Sequence, residues 1–276
     1  MKIVKHSGDI VDFEPEKLRI SLLKSGASPA IVEDILNKIK KELYEGISTK
    51  HIYKKAFLLL KKEANSHAAR YNLRAALQLL GPAGFFFEKY IARLFEAEKY
   101  ITTTNLVLQG KCVSHEIDIL VKKDNAIAMI ECKFHSSREA ASDVKVPLYV
   151  LSRFNDLKDK NHLIFTKKDT VSKCWISTNN RFTYDAVTFA KCSGINLLSW
   201  DYPKDNNLKT KNDIDCLYPV TCLTTLSIAE KDKLLFLDVI LAKELMNNSD
   251  PLEKISLSSN RIKNVLKEVR ELCKCA

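Results

Sequence analysis

Glu131 and Lys133 stand near the end of an apolar run, Ala126-Ile127-Ala128-Met129-Ile130-Glu131-Cys132-Lys133-Phe134. Such a run, entered through the turn-like Lys122-Lys123-Asp124-Asn125, reads as a central strand. Side chains two apart on a strand point to one face, so this acid and this base emerge side by side. Asp118 belongs to the preceding strand, Glu116 to Val121, across a short hairpin. Charges in apolar surroundings must pair with one another or with a cation. Two facing carboxylates repel unless something positive lies between them. Mg2+ or Mn2+ suits the pair Asp118 and Glu131, because a hard cation takes one or two carboxylates and keeps several waters. There it would activate water and offset charge on phosphoryl oxygens, with Lys133 orienting the water or stabilising the transition state. The competing reading of the same residues is a cross-strand ion pair at a sheet end.

Acid-x-Lys recurs at Asp143-Val144-Lys145 and Asp156-Leu157-Lys158, both in stretches that read as helix. Glu131 is set apart by its long apolar strand and the acid-bearing strand before it. Glu88 shares a helix face with Ile91, Ala92 and Phe95. It reads either as a further acid of the site or as a surface acid near a helix start. His115 and His135 flank the set and read as structural.

These residues need a sheet to hold them. Residues 83–98 read as helix, and 100–108, 116–121 and 126–134 as strands. A helix over 142–158, a strand at 175–178, a helix over 183–192 and a strand at 195–199 follow. The pattern is a mixed sheet with flanking helices. Before it, Lys2–His6 and Asp9–Phe13 flank a Ser7-Gly8 turn. Helices are expected from Pro15, from Pro29, after a Ser48 or Thr49 cap, and over 66–80. After the sheet, 201–215 reads as polar loop, and 226–245 and 260–272 as helices. The fold class expected is therefore α/β (α+β). A small N-terminal β-hairpin with a helical bundle spans 1–80, a central αβββαβ core spans 82–200, and a helical tail spans 217–276.

The central residues resemble the PD-(D/E)xK nuclease superfamily, and within it the Mrr-like restriction endonucleases. That pattern, an acid on the first helix, Asp on the second strand and Glu-x-Lys on the third, matches Glu88, Asp118 and Glu131-Cys132-Lys133. Many Mrr-like proteins carry Gln where Glu131 stands, so the chain is nearer the general superfamily form. Residues 1–80 resemble an ATP-cone, a nucleotide-binding regulatory module, through Ile3-Val4-Lys5-His6-Ser7-Gly8, Lys17-Leu18 and Gly46-Ile47-Ser48-Thr49. The resemblance implies ATP or dATP held by Lys5, His6, Lys17 and Thr49. His6 stands where Arg is usual, and Val11 where a polar residue is common. A degenerate cone serving as an interface is the alternative.

The net charge of +10 falls in the first 200 residues, the last 76 being balanced. That favours a polyanionic partner. No run has the length of a membrane span or the pattern of a signal peptide, so a cytoplasmic protein without membrane partners is expected. The eight cysteines show no Cys-x-x-Cys and read as reduced thiols. Together these readings give a Mg2+-dependent endonuclease acting on double-stranded DNA in restriction or defence. They add a nucleotide-responsive N-terminal domain and a homo-oligomer. Two alternatives stay open: a nucleotide-sensing DNA-binding regulator with an inactive nuclease fold, and a structure-specific repair or recombination nuclease.

Overall fold

The computed structural model describes residues 1–5, 7–81, 84–165 and 167–274, without the side chain of Lys167. The chain forms two compact units. One comprises Met1–Ala76 with Tyr218–Ala276, and the other Leu77–Leu217. The expected first and last segments thus form a single unit, split in sequence by the nuclease-like one.

In the split unit, β1 (Lys2–Val4) pairs antiparallel with β2 (Ile10–Asp12). Then α1 (Pro15–Lys24) and α2 (Pro29–Glu42) each start on proline, whose fixed φ suits a first helical turn. A short β3 (Ile47–Ser48), absent from the sequence reading, adds parallel to β1. Ser48 caps α3 (Thr49–Glu63) by accepting from His51 N–H at 3.1 Å. The expected 66–80 helix is two, α4 (Asn65–Tyr71) and α5 (Leu73–Gln78), because the chain leaves helical geometry at Asn72.

The second unit opens with α6 (Phe85–Ala97), β4 (Ile101–Gln109), β5 (Ser114–Lys123) and β6 (Ala126–Lys133). Next come β7 (Ala141–Ser142), α7 (Lys145–Leu157) and a small hairpin of β8 (His162–Ile164) and β9 (Lys167–Asp169). Then follow β10 (Lys173–Thr178), β11 (Arg181–Phe182), α8 (Tyr184–Cys192), β12 (Asn196–Leu198) and α9 (Leu208–Asp215). The main sheet has the order β12-β10-β6-β5-β4, antiparallel among β4, β5 and β6 and parallel from β6 through β10 to β12. β6 is central, as its apolar run requires. Helix α7 starts three residues later than expected because Ala141 and Ser142 are taken by β11.

Helix α9 corrects the expected 201–215 loop. Its composition is polar, but Leu208, Lys211 and Asn212 share one buried face. Lys211 pairs with Glu98, and the Asn212 amide donates to the Tyr90 hydroxyl.

Back in the split unit, the expected 226–245 helix is broken into α10 (Ile228–Phe236) and the single turn α11 (Glu244–Asn247), with Asp238 left-handed at φ 62° between them. A short α12 (Asp250–Lys254) precedes α13 (Ser259–Leu272). Six cysteines, Cys112, Cys132, Cys174, Cys192, Cys222 and Cys273, stand outside any disulfide as expected, whereas Cys216 is disulfide-bonded. Among the described residues no helix is long and apolar enough to cross a membrane.

The two sequence-distant parts of the split unit are joined by buried and half-buried polar contacts. Thr221 Oγ1 donates to Ala76 O at 2.8 Å. Arg70 Nη2 caps the end of α13 through Leu272 O at 3.0 Å and Glu271 O at 3.2 Å. Thr224 Oγ1 meets Asn65 Oδ1 at 3.1 Å, and within the C-terminal part Glu268, 1% exposed, accepts from the amides and hydroxyls of Thr224 and Thr225 at 2.6–2.9 Å. A buried carboxylate with four donors is stable, but the same donors left unpaired are not. Glu268→Ala should therefore destabilise this unit by about 3 kcal/mol or more and leave Leu77–Leu217 unchanged. Denaturant titration read by hydrogen exchange in each unit checks this; equal loss of protection in both units would contradict it.

Candidate active site

The β5–β6 ladder runs from Lys123–Ala126 to Ile119–Ile130. Its register sets Asp118 opposite Glu131, and the ladder stops one pair before them. Beyond the last pair a side chain replaces a backbone acceptor: Asp118 Oδ2 takes the Cys132 N–H at 2.7 Å. Glu131 is 4% exposed. Its Oε1 accepts from Lys133 Nζ at 2.7 Å, as the two-residue spacing predicts, and its Oε2 accepts from Arg153 Nη1. Arg153 reaches in from α7 and also donates to the Glu116 carbonyl.

Glu88 sits in the first turn of α6, behind Gly84 at φ 80°. A Cβ on Gly84 would lie 3.6 Å from Glu88 Oε1 and 3.7 Å from Phe134 Cβ, so the start of α6 abuts the end of β6. All four sequence-predicted residues, Glu88, Asp118, Glu131 and Lys133, are thus drawn together. Their electrostatics agree. Burial, then the charges of Asp118, Glu116 and Glu131, push Glu88 up to about 7. Burial and Glu131 push Asp118 up to about 6, against the Cys132 amide, Lys133 and Arg153. With four carboxylates near two cations, negative charge is in excess and two acids hold their protons toward neutrality.

That surplus, and a donor set made of oxygen, fit a hard divalent cation at Asp118 and Glu131. Among the described residues, no group of three or more His, Cys, Asp or Glu side chains is placed to hold a metal ion, so the candidate ligand set is this pair of carboxylates alone.

Arg153 escaped the sequence reading, because Leu151-Ser152-Arg153-Phe154 looks like an ordinary helix surface. A signal existed: Arg153 is three residues after Val150 and four before Leu157, both fully buried, so it shares their apolar face. The segment after β6 was missed too. Asn179 accepts from His135 N at 2.8 Å and donates to His135 O at 2.8 Å. Asn180 donates to Ser137 O and Ala140 O at 2.5 and 2.9 Å. These amides fix the loop that leaves Lys133. His135 meets Ser142 Oγ at 3.0 Å and His115 meets Asp156 at 2.8 Å, the structural roles expected of both.

In the other unit, Lys5, Lys17 and Thr49 line one cavity of about 500 Å³, with Asp12, Glu14, Tyr53 and Tyr71 also on its wall. Lys17 Nζ is held by Glu14 Oε1 at 2.7 Å. Tyr53 and Tyr71 stack at 4.9 Å. His6 lies outside the described residues.

The raised acids give stability a definite pH dependence. The ordinary values are 3.8 for Asp118 and 4.5 for Glu88. An acid whose folded value is raised contributes most below its unfolded value and loses that contribution as pH climbs through the folded one. In chelator, the thermal midpoint should fall from about pH 5 to about pH 8, and Glu88→Gln with Asp118→Asn should flatten the fall. An unchanged slope in the double variant would refute the assignment.

Residues 82–202 match the family described as Restriction endonuclease, and residues 218–273 match AF1548-like, C-terminal. An uncharacterized protein of Archaeoglobus fulgidus is 30% identical over 183 residues, 66% of this chain and 99% of that one. The crystal structure of AF1548, a protein of unknown function, aligns with a TM-score of 0.57 at 28% identity, over 70% of this chain and 99% of that chain. The chain belongs to the family of this archaeal protein and joins a restriction endonuclease domain to an AF1548-like C-terminal domain.

Proposed function

We propose that the Leu77–Leu217 unit is a divalent-metal-dependent endonuclease that hydrolyses phosphodiester bonds of double-stranded DNA, in restriction or defence. The observation that carries this reading is the excess of negative charge where Glu88, Asp118 and Glu131 meet Lys133. A structural ion pair has no need of surplus acids that hold protons near neutral pH. Asp118 and Glu131 would hold Mg2+ or Mn2+. When bound, the ion supplies activation of water and charge compensation for the phosphoryl group.

The remaining work belongs to side chains. Arg153 donates to Glu131 Oε2, so Glu131 keeps one cationic partner when Lys133 leaves Oε1. Lys133, about a third exposed where Glu131 is almost closed off, can then turn its ammonium to the phosphoryl oxygens where charge grows. The Asp118 carboxylate stays aimed by the Cys132 amide. Glu88, titrating near neutrality, can hold or release a proton at its carboxyl oxygens. The net charge of +10 favours the DNA backbone as partner.

Asp118→Asn keeps an oxygen for the Cys132 amide, so the variant should fold, bind Mg2+ weakly and fail to cut. Lys133→Ala should bind Mg2+ normally and cut about 100-fold more slowly or worse. Plasmid cleavage and Mg2+ calorimetry on both variants test the assignment; wild-type cutting by either removes it.

For the split unit, the reading is regulation by ATP or dATP. Its support is that Lys5, Lys17 and Thr49, far apart in sequence, wall one cavity. Thr49 also begins a 15-residue helix, an end that favours anions. Lys5→Ala with Lys17→Ala should abolish calorimetric ATP and dATP binding and spare Mg2+-dependent cutting. Absence of binding by the wild-type protein at about millimolar nucleotide, well above typical ligand-site dissociation constants, would end this reading.

A further inference from the structure

Asn105 lies in the middle of β4 with φ 56°, a left-handed conformation inside an extended strand. No other described residue of β4 or β5 has a left-handed φ. The β4–β5 ladder passes from Thr104–Ile119 straight to Leu106–Ile117, skipping the pair Asn105–Asp118 that its register sets opposite. The β5–β6 ladder also stops short of Asp118, at Ile119–Ile130. Asp118 is therefore without a ladder partner on either side among the described residues.

Side-chain alternation fails at the same place. Ile117 and Leu120 are three residues apart and would face opposite ways on a regular strand. Both pack into one core with Met129, Val150 and Leu157. Between them the pleat has lost a step, and Asp118 occupies that step.

We infer that Asn105 is a positioning residue for Asp118. Its left-handed backbone breaks the pleat shared by β4 and β5. That break lets one carboxylate reach the Cys132 N–H on β6 while facing Glu88 on α6. The inference rests on the nuclease reading of the site. Asn105 is exposed, so packing does not explain its conformation. Its short amide side chain is among the few that tolerate this region. A β-branched residue does not, and it favours the regular strand that would turn Asp118 away.

The test uses the full chain as wild type, Asn105→Gly, Asn105→Ala and Asn105→Val. Glycine keeps access to the left-handed region and should bind Mg2+ as the wild type does. Valine should weaken calorimetric Mg2+ affinity by about 10–100-fold, the usual effect of disturbing a ligand's support. Alanine should fall between them and serves if the valine variant does not fold. A metal-free readout is the Cys132 amide resonance and its exchange rate, which should move in Asn105→Val and stay in Asn105→Gly. Valine binding Mg2+ at wild-type affinity with an unmoved Cys132 amide would overturn the inference, as would glycine losing as much as valine. Wild type that binds no Mg2+ would instead remove the nuclease reading, and the Cys132 amide would still decide whether Asn105 places Asp118.

Discussion

A carboxylate almost wholly withdrawn from solvent sets the terms for the rest of the nuclease-like unit. Glu131 stands at the end of the central strand, where a lone charge would cost more than the fold can supply. It is neutralised from two directions, by Lys133 on its own strand and by Arg153 on α7. Helix α7 is thereby tied to the strand it covers, and its Val150 and Leu157 close the core beneath. Two cations on one carboxylate would make a satisfied ion triad and nothing more, were it not for Asp118 and Glu88. Those two tip the local balance negative. The site is under-neutralised at one spot and well neutralised beside it.

The sequence spoke clearly where a short period carried the information. Alternation along a strand put Glu131 beside Lys133, and helical spacing put Glu88 on the apolar face of α6. It was silent where the information lay in tertiary geometry. Arg153 is 22 positions from its partner, and Asn179 and Asn180 sit more than 40 from the loop they fix. The departure at Asn105 leaves no trace in composition, since Thr-Thr-Asn-Leu-Val reads as plain strand. Polar composition misled over α9, where a lysine and an asparagine are buried because Glu98 and Tyr90 receive them. Length misled over 226–245, where apolar spacing continued through a left-handed Asp238.

The same limit applies to the division of the chain. Reading from one end to the other suggests three successive pieces. The structure joins the first to the last, because Ala76, Asn65 and Arg70 find polar partners in Thr221, Thr224 and the final carbonyls of α13. Local pattern finds elements, whereas the sharing of a core is a non-local fact that one sequence does not display.

That sharing sets an order for biogenesis. Residues 1–76 leave the ribosome before residues 77–217, and the α13 helix that packs on α4 leaves after them. All of residues 77–217 are made in between. Domains usually fold as units, the earliest first, during synthesis. Here the inserted unit has its whole core in hand while the segment ahead of it still waits for its closing helix. The nascent polypeptide thus carries a folded restriction-endonuclease-like domain before its flanking domain exists, and any translational stop between residues 217 and 259 would release the one without the other.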